Sequence, residues 1–202
     1  MPYKPDEREY RSVLSSFRAV DTEDGTDTFT VEGYATTFDD PYEFGPGGYR
    51  ECISSRALDG ADMSDVIFQF NHDGAPLARL RNKTLELVRD AHGLLVRAKL
   101  YGSSAGRELY EAIKNGLVDS MSWGFSLPSD GSGYQIDRAS KTSTITRIAK
   151  VYDVSAVTFP ANSGTEIHAR SYLDGVIEAE AQELRLRDME MRQKAALKLR
   201  LL

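Results

Sequence analysis

Asp119-Ser120-Met121-Ser122-Trp123-Gly124-Phe125-Ser126-Leu127 puts a large apolar side chain at every second position and a hydroxyl or a glycine between them. Successive side chains of a strand point to opposite faces. The stretch therefore reads as a β-strand over about 119–127, with Met121, Trp123, Phe125 and Leu127 anchored in a core. Ser120, Ser122, Gly124 and Ser126 make a row of small groups on the other face. The polar outer face of an antiparallel strand has the same pattern and is its commoner meaning. A small row on a firmly anchored strand also leaves room for a bound backbone, and a hydroxyl in that row can be a nucleophile if a base lies beside it.

On either side of this strand the signals are those of a mainly β domain. Ser103 to Asn115 is the one convincing internal helix: a serine can cap it, Leu109, Ile113 and Leu117 recur every fourth residue, and Gly116 sits at its stop. Downstream, strands are expected over about 142–149 and 151–158. Upstream, Phe29, Val31, Gly33 and Ala35 alternate with polar residues, and Phe38 to Gly48 is a Pro- and Gly-rich loop. Val66 to Phe70 is an apolar run of strand length that ends at Asn71-His72-Asp73-Gly74. Leu85–Val88 and Leu94–Leu100 flank Asp90-Ala91-His92-Gly93, a hairpin signal. Three regions follow: an N-terminal polar segment over 1–22 with an edge strand around Arg11 to Ala19, a β domain over 23–170, and a C-terminal helix over 171–202. The fold class is mainly β with helices (α+β), an antiparallel barrel, closed or nearly so, with one internal helix and a helical tail.

The tail from Asp174 to Leu202 would be about 43 Å long as a helix at about 1.5 Å per residue. Glu178, Glu180 and Glu183 lead and Arg192, Lys194, Lys198 and Arg200 follow, which suits the helix dipole. Ile177, Leu184 and Met191 keep a seven-residue spacing that Lys198 breaks, so the tail reads as a solvated helix resting one stripe on the domain or a partner, not as a strong coiled coil.

The chain has 202 residues, 41% hydrophobic and 28% charged, with a net charge of -6. That balance suits a soluble globular protein and argues against a nucleic-acid binder, which would carry a basic face. A single cysteine, Cys52, excludes an internal disulfide and a multi-cysteine metal site. The opening MPYKPDEREYRS lacks the apolar core of a secretory signal, and no uncharged apolar run approaches the roughly 18 residues of a membrane span. A protein made and used inside a cell, with no membrane, nucleic-acid or cofactor partner, is expected.

A serine hydroxyl needs an imidazole beside it, oriented by a third group. The chain has three histidines, His72, His92 and His168. His72 follows a buried-looking strand, whereas His92 falls in a predicted turn tip, and a strand end holds a side chain more firmly. Asp153 lies within the apolar run Lys150 to Val157, where a carboxylate needs a partner. A histidine Nδ1–H would serve, and so would a rim cation such as Arg147. A metal site from His72, Asp73, Asp90 and His92 has no supporting ligand spacing.

Six fragments, in sequence order, resemble the prohead (capsid-maturation) serine proteases of tailed phages. They are Val31-Glu32-Gly33-Tyr34-Ala35 with Phe38, Tyr49-Arg50-Glu51-Cys52-Ile53 with Ala57-Leu58, Asn71-His72-Asp73, Asp90 with Gly93-Leu94, Gly116 to Phe125 (GLVDSMSWGF), and Asp153 to Thr158 with Pro160-Ala161. The resemblance spans about residues 29 to 163. It departs at Leu77-Ala78-Arg79, where Leu/Ile-Gly-Arg is common, and at Asp153, where the family often has Glu.

The resemblance implies a fold related to the β-barrel of herpesvirus assemblin. It implies a serine endopeptidase with Ser122 as nucleophile, His72 as base and Asp153 as the orienting acid, delivered by neighbouring barrel strands. In assemblins the third member is a second histidine, which keeps His92 and His168 as alternatives. By the same analogy the loop near Arg79 to Arg81 is a candidate source of oxyanion donors. Expected substrates are the scaffold protein or the scaffold-like arm of the major capsid protein, and the chain itself, cut in the host cytoplasm inside the assembling prohead. The tail would dock the enzyme in that shell and be lost by self-cleavage, and a homo-oligomer is compatible with it. The rival reading is a non-catalytic capsid- or scaffold-binding module on the same fold.

Overall fold

The computed structural model describes residues 8–14, 17–20, 29–44, 48–100, 102–159, 185–187, 189 and 191. Among them the chain forms β1 (Glu9–Leu14), β2 (Arg18–Val20), β3 (Thr30–Thr37), β4 (Tyr42–Glu43), β5 (Arg50–Ile53), β6 (Ile67–Phe70), β7 (Asp73–Arg79), β8 (Leu85–Arg89), β9 (Gly93–Lys99), the helix α1 (Ser104–Lys114), β10 (Ser120–Ser126), β11 (Tyr134–Asp137), β12 (Thr142–Ile145) and β13 (Lys150–Val157). All of these lie in one compact unit, Lys4–Glu166. In the second unit, Met1–Tyr3 with Ile167–Leu202, the described residues Arg185, Leu186, Arg187, Met189 and Met191 are helical. The rest of the helix expected over 171–202 lies outside the described residues, as does His168.

The mainly β class with one short internal helix holds, and the closed antiparallel barrel does not. The described strands make three open sheets, ordered β1-β10-β13-β6-β7, β2-β3-β9-β8 and β11-β12-β5-β4. Two pairings, β12 with β5 and β13 with β6, are parallel. Period-two alternation shows which face of a strand is buried, not which strand lies beside it. Parallel partners joined by long crossovers leave no local signal. The edge strand expected around Arg11 to Ala19 is two strands: β1 pairs with β10, and β2 pairs with β3.

Where the sequence specifies an element by local chemistry, the element forms. Ser103 caps α1 by accepting the Gly106 amide at 3.1 Å, and Gly116 takes the left-handed conformation after the last turn. Leu109, Tyr110 and Ile113 turn the buried face of α1 toward the core. Pro76 falls in β7, the edge of its sheet, where a strand can spare an amide. Met121, Trp123 and Phe125 of β10 lie at 0% exposure with Phe68 and Val154 in one continuous core. The opposite row, Ser120, Ser122 and Ser126, is buried too. That removes the solvent-facing reading of these serines and makes β10 a fully enclosed platform.

Candidate active site

Ser122 and Asp153 share one face of the β10–β13 ladder. Ser122 stands opposite Ser155, and Gly124 opposite Asp153. The carboxylate therefore lies over a residue with no side chain. A Cβ at Gly124 would come within 2.5 Å of Asp153 Oδ1 and 2.8 Å of Tyr10 Cε1, so this position is glycine for space. The ladder slips by one residue just after Gly124, a bulge of the kind that re-aims side chains. Asp153 is 1% exposed, and Ser155 Oγ donates to its Oδ2 at 3.2 Å.

His72 reaches the same point from the two-residue turn between β6 and β7, where Phe70 pairs with Asp73. Asn71 and His72 have φ of 50° and 57°. Two successive left-handed residues are the signature of a type I′ hairpin turn, normally Asn-Gly. A histidine there is strained by about 1 kcal/mol. The turn is fastened to the end of β13: the Asn71 amide donates to Ala156 O at 2.9 Å, its Oδ1 accepts the Thr158 amide at 3.0 Å, and its Nδ2 donates to Thr158 Oγ1 at 3.3 Å. The Tyr10 ring packs edge-on against the imidazole, with centroids 4.4 Å apart.

These supports bring the three groups into one line. His72 Nε2 lies 2.7 Å from Ser122 Oγ, and His72 Nδ1 is hydrogen-bonded to Asp153 Oδ2. Nδ1 next to a carboxylate carries the ring proton, which leaves the Nε2 lone pair free to accept from the hydroxyl. The ring keeps 19% side-chain exposure while Asp153 is enclosed, so the base has an open side and the acid has none. Arg8 adds a more distant charge, its Nη1 3.8 Å from Asp153 Oδ1. The arrangement can deprotonate an alcohol as it attacks an acyl carbon.

The three residues singled out by the sequence thus meet, by a route different from the one expected. His72 sits in the turn itself rather than at a strand end. Its hairpin is not next to the serine strand, because β13 lies between β10 and β6. The other candidates are engaged elsewhere. His92 packs against Tyr34 in the β8–β9 hairpin, and Arg147 donates to Ser132 Oγ at 2.8 Å. Ser120 bonds to Asp119, and Ser126 to Tyr152. The Arg79 and Leu80 amides, candidate oxyanion donors, are taken by Thr84 Oγ1 and Val66 O. Among the described residues no group of three or more His, Cys, Asp and Glu is placed to share a metal ion.

The part of the site that sequence reading missed is β1. Ser122 also lies 3.0 Å from the carbonyl oxygen of Arg11, and the Arg11 guanidinium is paired with Glu51, both side chains being about as buried as Trp123. The advance signal is the edge strand expected around Arg11 to Ala19, which gives no hint of the strand it joins.

Comparison with known proteins agrees with the chemistry of this constellation. Residues 16–176 match the family model described as Caudovirus prohead serine protease. The chain is 31% identical over 162 residues to the prohead protease of Enterobacteria phage HK97, a stretch covering 78% of this chain and 67% of that protein. No solved structure matches.

Proposed function

The chain belongs to the Caudovirus prohead serine protease family and is a serine peptidase of capsid maturation, and on that premise we propose that Ser122, His72 and Asp153 are its catalytic triad. The observation that carries this reading is the 2.7 Å approach of His72 Nε2 to Ser122 Oγ, with Asp153 on the far side of the ring.

The reaction is amide hydrolysis through an acyl-enzyme. As the bond from Ser122 Oγ to the substrate carbonyl carbon forms, the hydroxyl proton passes to His72 Nε2, and Asp153 stabilises the resulting imidazolium through Nδ1–H. Collapse of the tetrahedral intermediate breaks the C–N bond, and the proton on Nε2 leaves with the amine. Water then attacks the ester, giving one proton to His72, and the serine alcohol is restored with release of the carboxylate product.

The substrates in this reading are the scaffold protein or the scaffold-like arm of the major capsid protein, and this chain itself, cut within the assembling prohead in the host cytoplasm. The C-terminal segment over 171–202 is the docking segment and is removed by self-cleavage. Against a non-catalytic capsid-binding module stands the strain at His72: a left-handed histidine held to an enclosed serine and carboxylate serves no purpose in a mere binding surface. Co-expression of the chain with its cognate scaffold and capsid proteins tests this. Cleavage products should appear with the native chain and vanish with Ser122→Ala. Products that persist with Ser122→Ala would remove Ser122 as nucleophile.

A further inference from the structure

Ser122 is 1% exposed, so a hydroxyl that must attack an incoming carbonyl carbon is covered in the folded chain. The cover is β1. It is the edge strand of its sheet and runs antiparallel along β10, from Glu9 opposite Phe125 to Leu14 opposite Ser120. The family match begins at residue 16, after this strand. An extended chain added to a sheet edge is a common way of binding a peptide. Here Ser12 stands opposite the nucleophile and Arg11 opposite Trp123, and the Arg11 carbonyl oxygen accepts from Ser122 Oγ at 3.0 Å. The serine has one hydroxyl proton, and Arg11 O at 3.0 Å competes for it with His72 Nε2 at 2.7 Å, so the docked strand draws the alcohol away from its base.

The Arg11 side chain fills an enclosed pocket. Its Nε and Nη2 donate to the two oxygens of Glu51, at 2.9 Å for Nη2, and Nη2 also donates to the Tyr134 hydroxyl at 3.0 Å. The guanidinium lies 4.8 Å from the Phe44 ring centre and 5.6 Å from that of Phe125. Glu51 is held from behind by the Tyr42 hydroxyl. As a permanent strut such a buried pair contributes little, because desolvating both charges offsets their attraction. As a recognition device it is sharp, because a neutral or acidic side chain leaves the buried Glu51 without a countercharge.

We infer that the β10 edge is the substrate groove, that β1 occupies it as a substrate-like strand, and that Glu51 selects Arg or Lys at the residue whose carbonyl meets Ser122. This rests on Ser122 being the nucleophile. The enzyme cuts on the carboxyl side of a basic residue in an extended segment, and its own strand competes for the groove.

Synthetic peptides copying residues 8–14, with Arg, Lys, Leu or Glu at the position of Arg11, are incubated with the full chain, with Arg11→Ala and with Ser122→Ala. Expected is cleavage after Arg and Lys with kcat/KM at least about tenfold above Leu and Glu, the return from one charge-assisted contact. Arg11→Ala should cut the Arg peptide several-fold faster than the native chain does, with the same preference. Ser122-dependent cleavage without a basic preference overturns the pocket alone. No Ser122-dependent cleavage of any peptide by a chain that still cuts its scaffold overturns this inference alone; loss of Ser122-dependent scaffold cleavage as well removes Ser122 as nucleophile and this inference with it. Amide exchange of the native chain requires no variant to fold. A peptide aldehyde ending in argininal should accelerate exchange over residues 9–14, and one ending in leucinal should do so far less. Unchanged protection of those amides with Ser122 occupied by the aldehyde would make β1 a fixed wall and overturn the proposal.

Discussion

A methyl group on Gly124 would lie 2.5 Å from Asp153 Oδ1, and Asp153 cannot retreat without leaving His72 Nδ1. Gly124→Ala is therefore expected to lower kcat/KM by on the order of a hundredfold, the usual cost of misplacing a catalytic group by about 1 Å. Peptide hydrolysis measured beside thermal unfolding checks it; full activity in a folded variant would mean that Asp153 does not orient the base. At this scale the sequence was legible where a residue stood out from its surroundings. Asp153 is a charge in an apolar strand and Ser122 a hydroxyl in a row of small groups, so both declared a need for partners. Gly124 looked like one more small residue, because the carboxylate that needs its space lies on another strand.

Among the elements, the β6–β7 turn controls the position of the imidazole. Asn71 both adopts the left-handed conformation and ties the turn to Thr158. Asn71→Gly keeps the conformation and removes the side-chain bonds, so it separates the two roles. It should leave the fold intact, lower stability by about 1 kcal/mol for the lost bonds, and reduce kcat by roughly tenfold or more with little change in KM. Chemical denaturation and steady-state kinetics on the same preparations measure both; a loss confined to KM would mean that the turn serves binding rather than proton transfer. The helix α1 was readable in advance because its cap, apolar spacing and glycine stop all lie within a few residues of one another. The turn was not, since His72 occupies a position usually given to glycine and the bonds that hold it come from β13.

For the whole molecule, eight strands and the single internal helix were evident from alternation and turn residues, whereas β4, β5, β7, β11 and the sheet order were not. Ser122, Asp153 and His72 come from three segments brought together by an antiparallel pair, a parallel pair and a hairpin turn that reaches across the middle strand. Those pairings are fixed by packing in the shared core of Met121, Trp123, Phe125, Val154 and Phe68, which no local window contains. The same long-range assembly lays β1 over the nucleophile. The most direct measurement is reaction of the full chain with a fluorophosphonate, followed to completion, with the modified residue located by tandem mass spectrometry. A single adduct on Ser122 is predicted, lost in Ser122→Ala and strongly slowed in His72→Ala; an adduct on another serine, or one formed equally fast without His72, would contradict the assignment.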